Sequence, residues 1–325
     1  MALVLRWGIL GTGRIAGKFA EELPFSGTGR LVAVASRTPD RAREFAGRFG
    51  GVRAFGDYAT LLADPEVDAV YISTPHPFHA EWAIAAARAG KHILCEKPLT
   101  MNAGKALAVV EAARQAGVFL MEAFMYKCHP RTARIAELVR SGAIGRVRLI
   151  EVAFSFQAEF DPSSRLFNQE LGGGAILDVG CYTMSVARMI AGAAAGKDFE
   201  NPSRVLGTWV PAPSGVDAMA AATLAFPGGV LAQIFCGIGL NRGNDLKISG
   251  ETGWIQVPHF WNPPGTIEIH AGEKVTVEPA SGSAHKYALE ADVVANSLPG
   301  CESSVMSWED SLGNMAALDA WRAGA

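Results

Sequence analysis

The chain has 325 residues, 49% of them hydrophobic, a net charge of −3 and five cysteines. That length supports two domains with real cores. Near-neutral charge gives no reason to expect nucleic acid or an anionic membrane as partner. Cys95, Cys128, Cys181, Cys236 and Cys301 form no C-x-x-C pair and are odd in number, so neither a disulfide framework nor a metal site is expected, and the thiols suit a reducing cytoplasm. The apolar N-terminus has no basic leader or cleavage site, so it reads as part of the fold and not as a signal peptide. No apolar run approaches the length of a membrane span.

Taken in order, the first elements alternate. An apolar strand from Leu3 to Leu10 stops at Gly11, and a helical pattern opens at Arg14. Leu31 to Ala35 is a continuous apolar run suited to a parallel strand buried on both faces. A helix is expected from Pro39 to Phe49, with proline in its first turn. Then come a strand at Val67 to Ser73, a helix at His79 to Ala89 stopped by Gly90, a strand at His92 to Cys95, a helix at Ala103 to Ala116 and a strand at Val118 to Glu122. Repeated βα order implies an α/β fold with a doubly wound parallel (Rossmann) sheet, here over residues 1–124.

The remainder, 125–325, has a different character. After a helix at Arg131 to Val139, alternating Ile150, Val152, Phe154 and Phe156 mark a strand with one covered face, within Arg146 to Phe156. Gly172-Gly173-Gly174 opens a helix to about Ile190. Strands follow at Val205 to Val210, Asp217 to Phe226, Val230 to Gly237, Leu246 to Ser249, Trp254 to Val257 and Thr266 to His270, separated by glycine turns. They read as a large, mostly antiparallel open sheet. Helices at Tyr287 to Ser297 and Trp308 to Arg322 close the chain, with Ser307 and Asp310 as a capping box.

Three stretches carry chemistry. In Gly11-Thr12-Gly13-Arg14-Ile15-Ala16, the first glycine permits the turn and the second lets a pyrophosphate approach the backbone at a helix N-terminus. At the end of the second strand, Ser36-Arg37 with Arg41 replaces the carboxylate that would hold a ribose 2′-hydroxyl. A guanidinium and a hydroxyl suit a 2′-phosphate, which a carboxylate would repel, so NADP is preferred to NAD; the alternative is that both arginines solvate a loop.

The second stretch is Ser73-Thr74-Pro75-His76-Pro77-Phe78-His79 with Glu96-Lys97-Pro98, both just past parallel strands. A lysine there can hold positive charge beside a substrate oxygen; Glu96 and Lys97 could equally be an exposed pair. His76 and His79 lack the carboxylate or thiol that would complete a metal shell, so no metal is expected. The third stretch is Asp178-Val179-Gly180-Cys181-Tyr182. Residues four apart on a helix share a face and could form an acid–base pair, or be a helix cap and a packed tyrosine.

In this order the motifs resemble the glucose-fructose oxidoreductase/inositol dehydrogenase/rhizopine-catabolism (Gfo/Idh/MocA) family over essentially the whole chain. The resemblance implies an NAD(P)-binding Rossmann domain and a second domain whose open sheet often mediates oligomers, here a homodimer or homotetramer. It implies that Lys97 is the active-site lysine, that the bond before Pro98 is cis, and that Asp178 contacts substrate. Tyr182, Glu122-Ala123-Phe124-Met125-Tyr126-Lys127 and Arg165-Leu166 are similar to the branch of glucose-fructose oxidoreductases, NADP-dependent xylose dehydrogenases and dimeric dihydrodiol dehydrogenases. Arg165 is then expected at the cofactor or substrate, and the cofactor set becomes Gly11, Gly13, Arg14, Ile15, Ser36, Arg37 and Arg41, with Thr74, Pro75, His79, Glu96 and Lys97. The reading is an NADP-dependent dehydrogenase or reductase of a sugar or polyol-like alcohol or carbonyl. Its alternatives are a trans-dihydrodiol dehydrogenase-like enzyme and a non-catalytic NAD(P)-sensing regulator.

Overall fold

The structure is a computed structural model and describes residues 4–262, 265–279, 282–283 and 285–324; Leu3, the expected start of the first strand, lies outside them. Two compact units divide the chain: residues 1–128 with 285–312, and 129–284 with 313–325. Segment 285–312, which the linear reading gives to the second half, thus belongs to the first unit.

The first unit is built on β1 (Leu5–Leu10), β2 (Gly29–Ala35), β3 (Arg53–Phe55), β4 (Ala69–Ile72), β5 (His92–Glu96) and β6 (Leu120–Ala123). All pair in parallel, in the order β3-β2-β1-β4-β5-β6. The reversal of strand order beside β1 places the ligand crevice at the carboxyl ends of β1 and β4. The helices are α1 (Arg14–Glu22), α2 (Pro39–Gly47), α3 (Tyr58–Leu62), α4 (His79–Arg88) and α5 (Ala103–Ala116). Every residue of β4 is buried, which explains its unbroken apolar sequence: with both faces covered, alternation has no advantage. α5 ends where Gly117 turns left-handed at φ 64°, the conformation glycine adopts without steric cost. β3 and α3 escaped the sequence reading because they span three and five residues. α3 still carries its local signal, the Asp57 carboxylate accepting the Thr60 N–H at 2.7 Å.

The second unit holds α6 (Pro130–Arg140), β7 (Val147–Ser155), α7 (Cys181–Ala194), β8 (Arg204–Pro211), β9 (Asp217–Phe226), β10 (Val230–Gly237), β11 (Leu246–Gly250), β12 (Gly253–Val257), β13 (Thr266–Ala271) and β14 (Lys274–Pro279). Its eight strands run β14-β13-β12-β11-β7-β10-β9-β8, antiparallel except where β10 meets β7. β14 has no counterpart among the expected strands; its two valines, Val275 and Val277, point to the exposed face at the sheet edge. α7 packs on β7 and β10 and is buried from Cys181 through Ala193. Apolar and small side chains make up most of it, and its buried charge, Arg188, donates to the Asn201 side-chain oxygen at 2.8 Å, as a buried polar group requires.

The chain closes with α8 (Lys286–Ser297) and α9 (Trp308–Ala323). Ser307 Oγ accepts the Asp310 N–H at 3.2 Å, as the capping pattern predicts. α8 returns to the first unit against α1 and β2. It is fastened there by Asp292, whose carboxylate accepts the Ser26 and Thr28 hydroxyls at 2.6 Å each. On its buried side Glu290 is fully enclosed, and neither carboxyl oxygen finds a hydrogen-bond partner among the described residues. Burial, then the negative charge of Glu96, pushes this carboxyl well above its ordinary value of 4.5. The folded chain therefore keeps a proton that the unfolded chain releases, and stability must fall as pH rises above that ordinary value. We expect the melting temperature to drop between pH 5 and 8. Glu290→Gln should reduce the drop and raise the pH 8 melting temperature by about 2–4 °C; a lower one in the variant would contradict this account.

Candidate active site

The nucleotide turn follows from the end of β1. Gly11 has φ +107°, and a Cβ there would lie 3.0 Å from the Ser73 carbonyl oxygen, so only glycine fits. At Gly13, the residue capping α1, a Cβ would meet nothing within 4 Å, and no side chain caps the helix. Arg14 and Ile15 thus begin a helix with no side-chain cap, whose first N–H groups have no intrahelical acceptor, the arrangement that accepts a phosphate. Thr74 adds an orphan: its buried Oγ1 has no hydrogen-bond partner among the described residues. At the end of β2, buried Ser36 receives the Thr12 hydroxyl at 3.5 Å. Arg37 and Arg41 are exposed beyond it, Arg37 with its guanidinium 5.9 Å from the centre of the Phe78 ring. The nearest following carboxylate, Asp40, is paired to Arg43. These residues fit a phosphorylated dinucleotide: an open glycine cradle for the pyrophosphate and cations where a 2′-phosphate needs them.

Lys97 leaves the carboxyl end of β5 half-buried, on a loop pinned from several sides. The Lys97–Pro98 peptide is cis, as the resemblance implies. Glu96 is buried, accepts the Tyr71 hydroxyl through one oxygen and the Lys97 N–H through the other at 3.2 Å. His79 is fully buried, its ring nitrogens 2.9 Å from the Pro98 carbonyl and 2.8 Å from the Thr74 carbonyl. It therefore ties the Thr74-Pro75 loop to the lysine loop. Glu96 and His79 were expected at the cofactor; here their polar atoms hold the loops that carry Thr74, Pro75 and Lys97.

Asp178 and Tyr182 stand in the second unit. Where an α-helix was expected to begin, Ile176–Gly180 forms a π-turn that runs into α7, so Asp178 lies in a widened turn and Tyr182 at the start of the regular helix. Such turns recur at functional sites. Asp217 of β9 holds the entry: its carboxylate accepts the Ile176 N–H at 2.5 Å. Gly174, at φ +116°, comes so close that a Cβ would sit 2.2 Å from an Asp217 oxygen. Burial raises the Asp217 carboxyl to about 6, against the Ile176 and Ala175 N–H groups and Arg322, which favour its charge. Asp178 is buried, and Arg165 donates to it at 2.9 Å, joining two expected site residues. Tyr182 is 6% exposed and lies edge-on to Phe154 and Trp261, at 5.3 and 5.5 Å between ring centres. Phe154 and Trp261 stack on each other at 4.7 Å, and the Trp261 indole N–H is fixed on the Ala153 carbonyl at 2.7 Å.

Sequence reasoning missed Asp217 and the place of Phe154 in this wall; the loops Gln157 to Glu170 and His259 to Gly265, the second of which holds Trp261, read as substrate-lining, without a shape. Phe154 was visible only as a strand residue, and Trp261 sits in a loop with no periodicity. Asp217 has a faint signal, an acid opening an otherwise apolar strand.

Residues 5–124 match the model of the GFO_IDH_MocA oxidoreductase family, NAD-binding Rossmann fold, and residues 132–256 that of the GFO/IDH/MocA C-terminal domain. The chain is similar to a trans-1,2-dihydrobenzene-1,2-diol dehydrogenase of Mus musculus, at 34% identity over 88% of this chain and 84% of that one. It is also similar to a D-xylose 1-dehydrogenase (NADP(+)) of Haloferax volcanii, at 33% identity over 97% and 96%. Among solved structures, a 3-ketoreductase from Actinomadura kijaniata in complex with TDP-benzene and NADP aligns with TM-score 0.86 and 30% identity, over 99% of this chain and 98% of that one.

Proposed function

Given that this chain belongs to the Gfo/Idh/MocA oxidoreductase family, we propose that it is an NADP-dependent dehydrogenase or reductase of a sugar or sugar-like alcohol or carbonyl. The observation that carries the cofactor choice is the end of β2, where Ser36, Arg37 and Arg41 stand without a free carboxylate. The NADP-dependent xylose dehydrogenase and the NADP-bound ketoreductase named above agree with it. Bound nicotinamide supplies the hydride acceptor or donor. The chain itself supplies proton transfer and orientation: Tyr182 takes the hydroxyl proton in oxidation or gives it in reduction, and Lys97 holds the same oxygen and favours the phenolate. Asp178, oriented by Arg165, binds a neighbouring hydroxyl. A metal has no part in this scheme.

The aromatic wall of Phe154 and Trp261 beside Tyr182 supports a second substrate class. Such a wall accepts either the apolar face of a sugar ring or the unsaturated ring of a cyclohexadiene diol, and one curated relative is a dihydrodiol dehydrogenase. Assays of NADP+ and NAD+ with aldoses and trans-dihydrodiols, and of NADPH and NADH with aldoses and ketoses, decide between the two classes. Turnover with NADP+ on sugars supports the first reading, turnover on diols alone the second. Tight NADPH binding without turnover on either would overturn both in favour of a sensor.

We also place the enzyme in the cytoplasm as a homodimer or homotetramer. Cys95, Cys128, Cys236 and Cys301 carry unbridged thiols, as a reducing compartment allows, and no described helix is long and apolar enough to cross a membrane. The sheet face away from α7 leaves Leu206, Leu231, Trp254, Val275 and Val277 exposed, apolar side chains that a second subunit would cover. Sedimentation at micromolar concentration is expected to give a dimer or larger, and Leu206→Glu with Val277→Glu to give monomer. A wild-type monomer would sink this assignment.

A further inference from the structure

The lysine loop has one more anchor, supplied by the neighbouring strand. Glu122 of β6 pairs in register with Cys95 of β5 and is 1% exposed. Its Oε1 accepts the Leu99 N–H at 2.8 Å, two residues beyond Lys97. Its Oε2 has no hydrogen-bond partner at normal geometry among the described residues. Ser311 of α9 favours the charged carboxylate by hydrogen bonding. The charged groups that act on it are Asp310 of α9 and Lys127, buried and paired to each other; from β5 it faces the Cys95 thiol.

We propose that Glu122 is a positioning residue for Lys97: its carboxylate grips the Leu99 amide, and with it the loop geometry that brings the ammonium to the substrate oxygen. This rests on the role of Lys97 proposed above. An amide donating to a carboxylate makes a bond roughly twice as strong as one donating to a neutral acceptor, so the grip depends on the charge. Burial lifts the carboxyl to about 7, opposed by Ser311, the Leu99 amide and Lys127, and reinforced by Asp310. Lys127 and Asp310 offset each other, which leaves burial in control. The Cys95 thiol is pushed well above its ordinary value by burial and stays neutral across this range. The grip therefore tightens as pH rises through about 7. Folding pays for it, because an acid whose folded pKa is raised costs stability once it ionises.

The test follows the Leu99 amide by NMR in the full-length protein, beside kcat, from pH 5.5 to 8.5. In the wild type the amide proton should move downfield with a midpoint near 7, and kcat should rise about tenfold over the same range with KM for NADP+ unchanged. In Glu122→Gln both transitions should vanish and kcat should stay at the acid-side level. Ser311→Ala keeps the carboxylate but removes a group that favours its charge, so both midpoints should move up; this variant and the wild-type titration carry the test should Glu122→Gln fail to fold. A Glu122→Gln enzyme with wild-type kcat at pH 8, or unmoved midpoints in Ser311→Ala, overturns the proposal. Should Lys97→Ala leave turnover intact, the functional reading fails on its own. The Leu99 titration still reports whether Glu122 grips the loop.

Discussion

Lys97→Ala is expected to lower turnover by about 10²–10⁴-fold, the usual range for a lost acid–base or charge-stabilising group, while NADPH binds within about threefold of wild type. The two effects separate because different atoms serve them. In the proposed site the pyrophosphate lies against main chain, at Gly11, Gly13 and the uncapped start of α1, and no lysine atom builds it. The loop itself should survive the change, since its backbone is held by Glu96 at Lys97 N, His79 at Pro98 O and Glu122 at Leu99 N. What disappears under the proposed mechanism is a positive charge at the substrate oxygen, needed most as that oxygen loses its proton. Lys97→Arg should not restore activity, because a planar fork cannot replace a compact ammonium. Turnover within threefold of wild type in Lys97→Ala would remove Lys97 from the mechanism.

Arg37→Ala with Arg41→Ala should weaken NADP+ by about 10–10³-fold and leave NAD+ nearly unchanged, two charge-assisted contacts to phosphate being worth about 1.5–3 kcal/mol each when well formed. The lower end applies if water screens these exposed side chains. Two measurements check it: affinities by titration calorimetry for both cofactors, and KM for NADP+ against ionic strength. In the wild type KM should rise with salt, and in the double variant that slope should flatten. An equal loss for both cofactors would mean that the arginines hold the loop; a wild-type preference for NAD would refute the 2′-phosphate reading.

The buried strands β1, β2, β4 and β5 were legible because a strand covered on both faces needs an unbroken apolar run. The glycine turn and Lys97 were legible because their signals are contiguous: each lies within a few residues of the strand end that positions it. β14 was not, since its outward valines and inward polar residues reverse the usual alternation at an edge. Nor was the π-turn, because Gly174 and Gly180 are compatible with an α-helix start until Asp217, some forty positions later, is brought to the Ile176 amide.

The sequence by itself determined the two sheets and the glycine turn, and it carried the residue types on which the proposed site rests: an ammonium, a carboxylate, a phenol and a pair of guanidinium groups. Only the tertiary structure decided what holds them. Arg165 on Asp178, Glu122 on Leu99, His79 across two loops and Asp217 under the π-turn are contacts between different loops and elements. Periodicity records which face of an element is covered, but a buried polar group finds its partner only when the chain has folded, because the cost of leaving it unpaired is set by the surroundings that folding creates.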